Sequence, residues 1–234
     1  MGMAKTKSRA RRKKRGRSAR GWRIALAVIV PIMLIVALGR FINPPTDFYI
    51  ASETRRLGAV SQRWTPLRDI SPVMARSVVA AEDANFCLHW GFDLKAIRAA
   101  IKDGAQRGAS TIDQQVVRNV FLWQGRNWPR KALEALLTPA LELTWSKQRI
   151  LEVYLNMAEF GDGAFGVTAA AARYFQVEPD KITADQAALL ASVLPDPKHR
   201  DPAKPTRWMR QRAAEIRSGA ATIEADGRAA CFEH

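Results

Sequence analysis

The stretch KQRILEVYLNMAEFGDGAFGVTAAAARYF, residues 147–175, decides the fold class. Its apolar Ile150, Leu151, Tyr154 and Leu155 recur three and four residues apart, the period of one helix face. Ser146 stands where an N-cap belongs, so the spacing predicts a helix over Lys147–Asn156. Gly166 punctuates the chain, and the Ala-rich run behind it predicts a second helix, Val167–Phe175. Working outward, Thr183 caps a predicted helix Ala184–Val193. Pro195, Pro197, Pro202 and Pro205 then impose an irregular loop, and a last helix is expected at about Arg207–Arg217. Upstream, Ser71-Pro72 opens a helix toward Ala81–Asp83, Asp93 caps Leu94–Lys102, and Ser110 is expected to cap Thr111–Phe121. A longer helical stretch, 128–145, contains Pro139 and is expected to bend there. No strand-type alternation competes, so the fold class is mainly α.

The charge belongs to one end of the chain. The formal net charge is +15, but residues 1–23 hold eleven Lys/Arg and no acid, leaving 26 basic against 22 acidic residues elsewhere. No aromatic residue interleaves the tail before Trp22, which argues against nucleic acid as a partner. Directly behind the tail runs the apolar IALAVIVPIMLIVALG, Ile24 to Gly39. With residues to 43 it reaches the ~20 residues that a bilayer crossing requires. A transmembrane helix is therefore expected over 24–43, preceded by a cytoplasmic tail, 1–23. By the excess of positive charge, the rest of the chain is expected to be exported. Residues 44–60 read as a linker and 61–234 as the folded domain. Two cysteines, Cys87 and Cys231, permit one disulfide in an oxidising compartment; two separate small apolar residues are the alternative.

Three clusters carry chemistry. In Glu82-Asp83-Ala84-Asn85-Phe86-Cys87-Leu88-His89-Trp90-Gly91-Phe92-Asp93, adjacent carboxylates end an apolar helix, where desolvation raises a carboxyl toward the range of a general base. A surface acidic pair with a core histidine is the plainer reading. In GASTIDQQVVRN, 108–119, polar residues recur at helical spacing and can face sugar hydroxyls and phosphate oxygens. Arg126, Arg130 and Lys131 lie close to Glu134, a grouping suited to a diphosphate and equally to helical ion pairing.

Together the segments EDANFCLHWGFD (82–93), GASTIDQQVVRN (108–119), RKALEALL (130–137), KQRILEVYLNMAEFG (147–161) and GVTAAAARYF (166–175) resemble the five ordered motifs of the bacterial peptidoglycan glycosyltransferases, the lysozyme-like transglycosylase family, in its monofunctional branch. The resemblance covers roughly residues 60–205. It implies a lysozyme-like helical domain that polymerises lipid II into β-1,4-linked glycan with inversion, releasing undecaprenyl pyrophosphate. Carried over residue by residue, Glu82 resembles the base that takes the acceptor hydroxyl proton. Glu134 resembles the second carboxylate, acting directly or through a divalent cation, Mg²⁺ or Mn²⁺. Ser110, Gln114, Arg118, Asn119, Arg126, Arg130 and Lys131 match substrate-binding positions. Arg118 stands where lysine is usual, Asp113 where threonine or serine is common, and Ala109 where glycine is frequent. The implied partners are lipid II, the growing lipid-linked chain, the membrane and other cell-wall synthesis proteins. The implied location is the cell inner membrane, with the catalytic domain periplasmic. A hydrolase of related fold and a non-enzymatic scaffold are the competing readings. No S-x-x-K or K-T-G motif of an acylating second domain occurs, so penicillin is not expected to inhibit the chain.

Overall fold

The computed structural model describes Arg23, Ala27 and residues 29–104, 108, 110–125 and 127–233. The chain divides into Met1–Ile42 and Asn43–His234. In the first unit residues 29–38 are helical and 39–42 form a turn. No helix among the described residues is long and apolar enough to cross a membrane. The basic residues of 1–22, and 24–26 and 28 of the expected span, lie outside the described residues.

The second unit is mainly helical. Its helices are α1 (Phe48–Leu57), α2 (Pro72–Glu82), α3 (Leu94–Lys102), α4 (Ile112–Phe121), α5 (Trp128–Thr144), α6 (Lys147–Met157), α7 (Gly166–Phe175), α8 (Ala184–Val193) and α9 (Arg207–Ala225). Three short strands, β1 (Ser61–Gln62), β2 (Glu159–Gly161) and β3 (Ala164–Phe165), form a sheet in the order β1-β3-β2. Strand β3 is parallel to β1 and antiparallel to β2.

The stretch expected as a linker is built into this unit. Asp47 caps α1 by accepting from the Ile50 amide at 2.6 Å, and Ile50 and Glu53 are buried. Proline-rich flanks suggested a tether, but ten residues between them carry one apolar anchor and a good cap, enough for a short helix. Helices α2, α8 and α9 pack on one another, while α4 packs on α5 and α6. The core between them holds Met74, Val78, Phe86, Ile112, Val117 and Ile150, each 0% exposed. Asn156 on α6 locks the lead-in segment: it accepts from the Thr65 amide at 2.7 Å and donates to the Thr65 carbonyl at 2.8 Å.

Two expectations need correction. Helix α4 is capped by Thr111, not Ser110; Thr111 and Gln114 close a capping box, which satisfies two orphan amides at once. Helix α9 runs to Ala225, eight residues past the expected end. Gly219, beyond the expected end, is a packing residue: a Cβ there would lie 3.2 Å from that of Ala80 on α2.

Candidate active site

Glu82 is the last residue of α2. It is half-buried, and its carboxylate accepts from the Gln115 amide at 2.8 Å. Burial raises its pKa above the ordinary carboxylate value, against the lowering effect of the Gln115 hydrogen bond and the charges of Arg118 and Arg212. Gln115 in turn accepts from the Tyr154 hydroxyl at 3.3 Å. A side chain held from α4 and α6 together has its aim fixed by two elements.

Gln115, Arg118 and Asn119 share one face of α4, three and four residues apart. With Tyr49, Tyr154 and Glu159 they line an open cleft of about 240 Å³. The Arg118 guanidinium donates to the Asn119 side chain at 3.2 Å. At the far wall, the Tyr49 hydroxyl donates to Glu159, whose pKa is also raised by burial.

Glu134 lies on α5, which packs against α4. It is 2% exposed and takes an ion pair from each of two cations. Arg130 reaches it at 2.9 Å, and Lys131 pairs with its other oxygen. Arg130 is itself buried and also donates to the Gly125 carbonyl at 2.7 Å, fixing the loop before α5. Lys131 is the more open cation, with its side chain 42% exposed, and it donates to Ser110 Oγ at 3.3 Å. Ser110, Lys131 and Glu134 therefore form one polar patch.

Behind the cleft a buried brace joins the first two motifs. Asp83 accepts from the Ile112 amide at 3.0 Å and contacts His89 Nε2 at 2.9 Å. His89 Nδ1 lies 4.0 Å from Asp113, which pairs with Lys147 at 3.2 Å; Lys147 also pairs with Glu142 at 2.6 Å. Asp113 is fully buried, and desolvation holds its pKa well above the usual value despite Lys147. Gly91, at φ +81°, seats the loop on α5, where a Cβ would lie 2.6 Å from Thr138 Cγ2.

The structure thus gathers Ser110, Lys131, Arg130 and Glu134 at one place, and Arg118 beside Glu82 with Asn119 bonded to Arg118. Gln114 is not with them: it is buried, and its amide oxygen accepts from the Thr111 amide at 3.1 Å. Gln115 is the residue that reasoning from sequence passed over. Both glutamines are polar, and only the Thr111 cap, which recruits the residue three positions on, tells them apart. Arg126 lies outside the described residues. A divalent cation on Glu134 does not fit this arrangement, because both its oxygens face cations. Among the described residues the carboxylate and histidine groups close enough to share an ion are Asp83–His89–Asp113 and Glu53–Glu159–Asp162, neither including Glu134. Cys87 and Cys231 are disulfide-bonded, with Cα atoms 5.6 Å apart.

Residues 51–221 match the family model described as Transglycosylase. The chain is 56% identical over 202 residues to a biosynthetic peptidoglycan transglycosylase of Jannaschia sp. (strain CCS1), covering 86% of this chain and 84% of the relative. A protein of the same description from Stutzerimonas stutzeri (strain A1501) is 46% identical over 206 residues, covering 84% and 83%. One from Rhodospirillum centenum (strain ATCC 51521 / SW) is 44% identical over 219 residues, covering 90% and 94%.

Proposed function

The chain belongs to the transglycosylase family and is a peptidoglycan glycosyltransferase of cell-wall synthesis; from that premise we propose how its cleft carries out the transfer. The donor is a glycan chain on a polyprenyl diphosphate, and the acceptor is lipid II. Glu82, ionised, takes the proton from the acceptor 4-hydroxyl as that oxygen attacks the donor anomeric carbon. The bond to the diphosphate breaks on the opposite face, inverting the centre. This is the logic of two-sided inverting glycosidases with a sugar hydroxyl in place of water.

Negative charge gathers on the departing diphosphate. Lys131, Arg118 and Arg126 are the cations assigned to it, since fixed charge placed where charge develops is the largest common source of rate. Arg130 holds Glu134, and Glu134 keeps Lys131 aimed. No step passes through a metal ion. The observation that carries this reading is the Glu82 carboxylate, desolvated and bonded to Gln115, which lines the cleft together with Arg118, a cation that acts on the same carboxylate.

Membrane attachment belongs to the same proposal. The apolar run 24–39 behind eleven cations supports an anchor in the inner membrane with the basic tail cytoplasmic. Helix α3 buries none of its residues, though Leu94 and Ile101 are apolar and 60% and 69% exposed. On α5, Leu133, Leu136 and Leu143 are exposed along one side, and Trp123 and Trp128 before and at its start are exposed as well. Exposed apolar surface of this kind suits the bilayer that holds the substrate. Phe121 and Leu122 do not join it: Phe121 packs edge-on against Trp145 and Leu122 is buried. The disulfide supports an oxidising, periplasmic setting.

The test is polymerisation of labelled lipid II by the full chain, with and without EDTA, comparing wild type with Glu82→Gln and Glu134→Gln. Loss of the base is expected to cost on the order of 10²–10⁴ in kcat. A Glu82→Gln enzyme that polymerises normally overturns the assignment. Release of fragments from finished peptidoglycan, without polymerisation, would favour the hydrolase instead.

A further inference from the structure

The family match ends at residue 221, and the chain beyond it returns to the end of α2. Cys231 is bonded to Cys87. The Phe232 ring lies 6.3 Å from that of Phe86. Arg228 donates to the Ala84 carbonyl at 2.9 Å. Arg76, buried on α2, pairs with Glu224 at 2.8 Å and Glu233 at 3.3 Å. From α9 itself, Arg212 donates to the Ala81 carbonyl at 3.3 Å.

These attachments are not spread over the domain. They land at positions 76, 81, 84, 86 and 87, on both sides of Glu82. Helix α2 ends at Glu82, so the backbone beyond it loses the regular ladder that would hold it in place. The Arg228 hydrogen bond acts at Ala84, between the end of α2 and the 3₁₀ turn Phe86–Leu88, and the disulfide holds that turn at Cys87. A staple serving stability alone gains equally from any distant landing point; this one closes on both sides of the residue at which the helix stops.

We propose that residues 226–233, together with Arg212, form a C-terminal clasp that positions the Glu82 backbone for proton transfer. The inference rests on Glu82 being the base. Its residues touch no substrate; they act through Glu82. The groups that face the Glu82 carboxylate are Gln115 and Arg118 of α4, Tyr154 of α6, Arg212 of α9 and the neighbouring Asp83. Loosening the clasp moves Glu82 relative to all of them and admits water beside it.

The experiment measures steady-state polymerisation of lipid II by the full chain, across pH, for wild type, Arg228→Ala, Arg228→Lys and the Cys87→Ser/Cys231→Ser double variant, with Glu82→Gln as reference. Because misplacement by about 1 Å can cost 10²-fold, Arg228→Ala is expected to lose roughly tenfold in kcat while KM changes less than about twofold. Its circular dichroism and thermal midpoint should match wild type, since only a partly exposed side chain is trimmed. The acid limb of its pH profile should move to lower pH, as water lowers the Glu82 pKa. Arg228→Lys, which can still donate to the Ala84 carbonyl, should recover part of the loss. Dithiothreitol should impair wild type and leave the double variant unchanged. Wild-type kcat and pH profile in both Arg228→Ala and the double variant would sink the idea. So would a loss that only tracks the folded fraction. If Glu82→Gln is itself active, the base assignment has failed instead, and the clasp goes with it for that separate reason.

Discussion

At Glu82, opposing influences of unequal size act on one carboxylate. Desolvation raises its pKa, and Gln115, Arg118 and Arg212 pull it back. As the proposed base, Glu82 works only when ionised, so turnover is expected to rise as pH climbs through its pKa. Gln115→Leu removes a hydrogen bond to the ionised form, which raises the pKa further. The acid limb of the rate profile is therefore expected to shift to higher pH, with a lower plateau above it because Gln115 also aims the carboxylate. An unshifted limb in stopped polymerisation assays would show that another group sets it. Asp47 is a case of stability rather than catalysis. Its Oδ1 caps α1, but Oδ2 is buried without a partner, and burial raises the pKa to about 6. A raised carboxyl favours the folded state most below its unfolded pKa of 3.8, and that contribution is lost as pH rises through about 6. Asp47→Asn keeps the capping oxygen and cannot ionise. It is expected to be more stable than wild type at pH 8 by on the order of 1–3 kcal/mol, and to lose that advantage near pH 4. Urea unfolding at the two pH values measures it.

Among the elements, the long periodic helices were legible and their ends less so. Helices α3 and α8 lie where Asp93 and Thr183 announce them, because a cap followed by periodic apolar residues is a local signal. The start of α4 was misplaced by one residue because Ser110 and Thr111 are equally good caps in isolation. Lys131, brought in by tertiary packing, claims Ser110. The end of α9 lies beyond Arg217 because its later turns pack on α2, with Gly219 against Ala80, a contact distant in sequence. The three strands are two or three residues long, too short for alternation to register. Which of the exposed apolar residues were core was also settled only by packing: Phe121 found Trp145, whereas Trp128 remained 88% exposed. That exposure makes α5 testable as a membrane-facing element. The triple variant Leu133→Asn, Leu136→Asn, Leu143→Asn should leave the helix intact, since none of the three is buried. Losing apolar contact worth even one leucine, ~1.5 kcal/mol, corresponds to about tenfold in affinity, so KM for vesicle-embedded lipid II should rise at least about tenfold. Turnover in detergent micelles at saturating substrate should change little. Equal KM in vesicles would detach α5 from the bilayer.

Across the whole molecule, the first motif region and the end of the chain are joined by one covalent bond. Cys87 and Cys231 lie 144 residues apart, a pairing that an even cysteine count permits but cannot assert. The loop closed by this bond contains α3 to α9 and Glu134 of the proposed site, and it closes five residues beyond Glu82. Restricting so long a loop removes much of the freedom of the unfolded chain, and in small exported domains such bonds contribute about 2–5 kcal/mol. Their loss acts through the unfolded state, so the Cys87→Ser/Cys231→Ser variant should unfold at lower urea with an equal or larger dependence on denaturant. Stability and positioning can then be told apart within one molecule. The double variant pays in both, because it frees the unfolded chain and loosens the stretch after Glu82. Arg228→Ala leaves the covalent loop closed, so its urea midpoint should stay near that of wild type while kcat falls. A midpoint that drops equally in both variants would mean that the C-terminal segment holds the fold together and nothing finer.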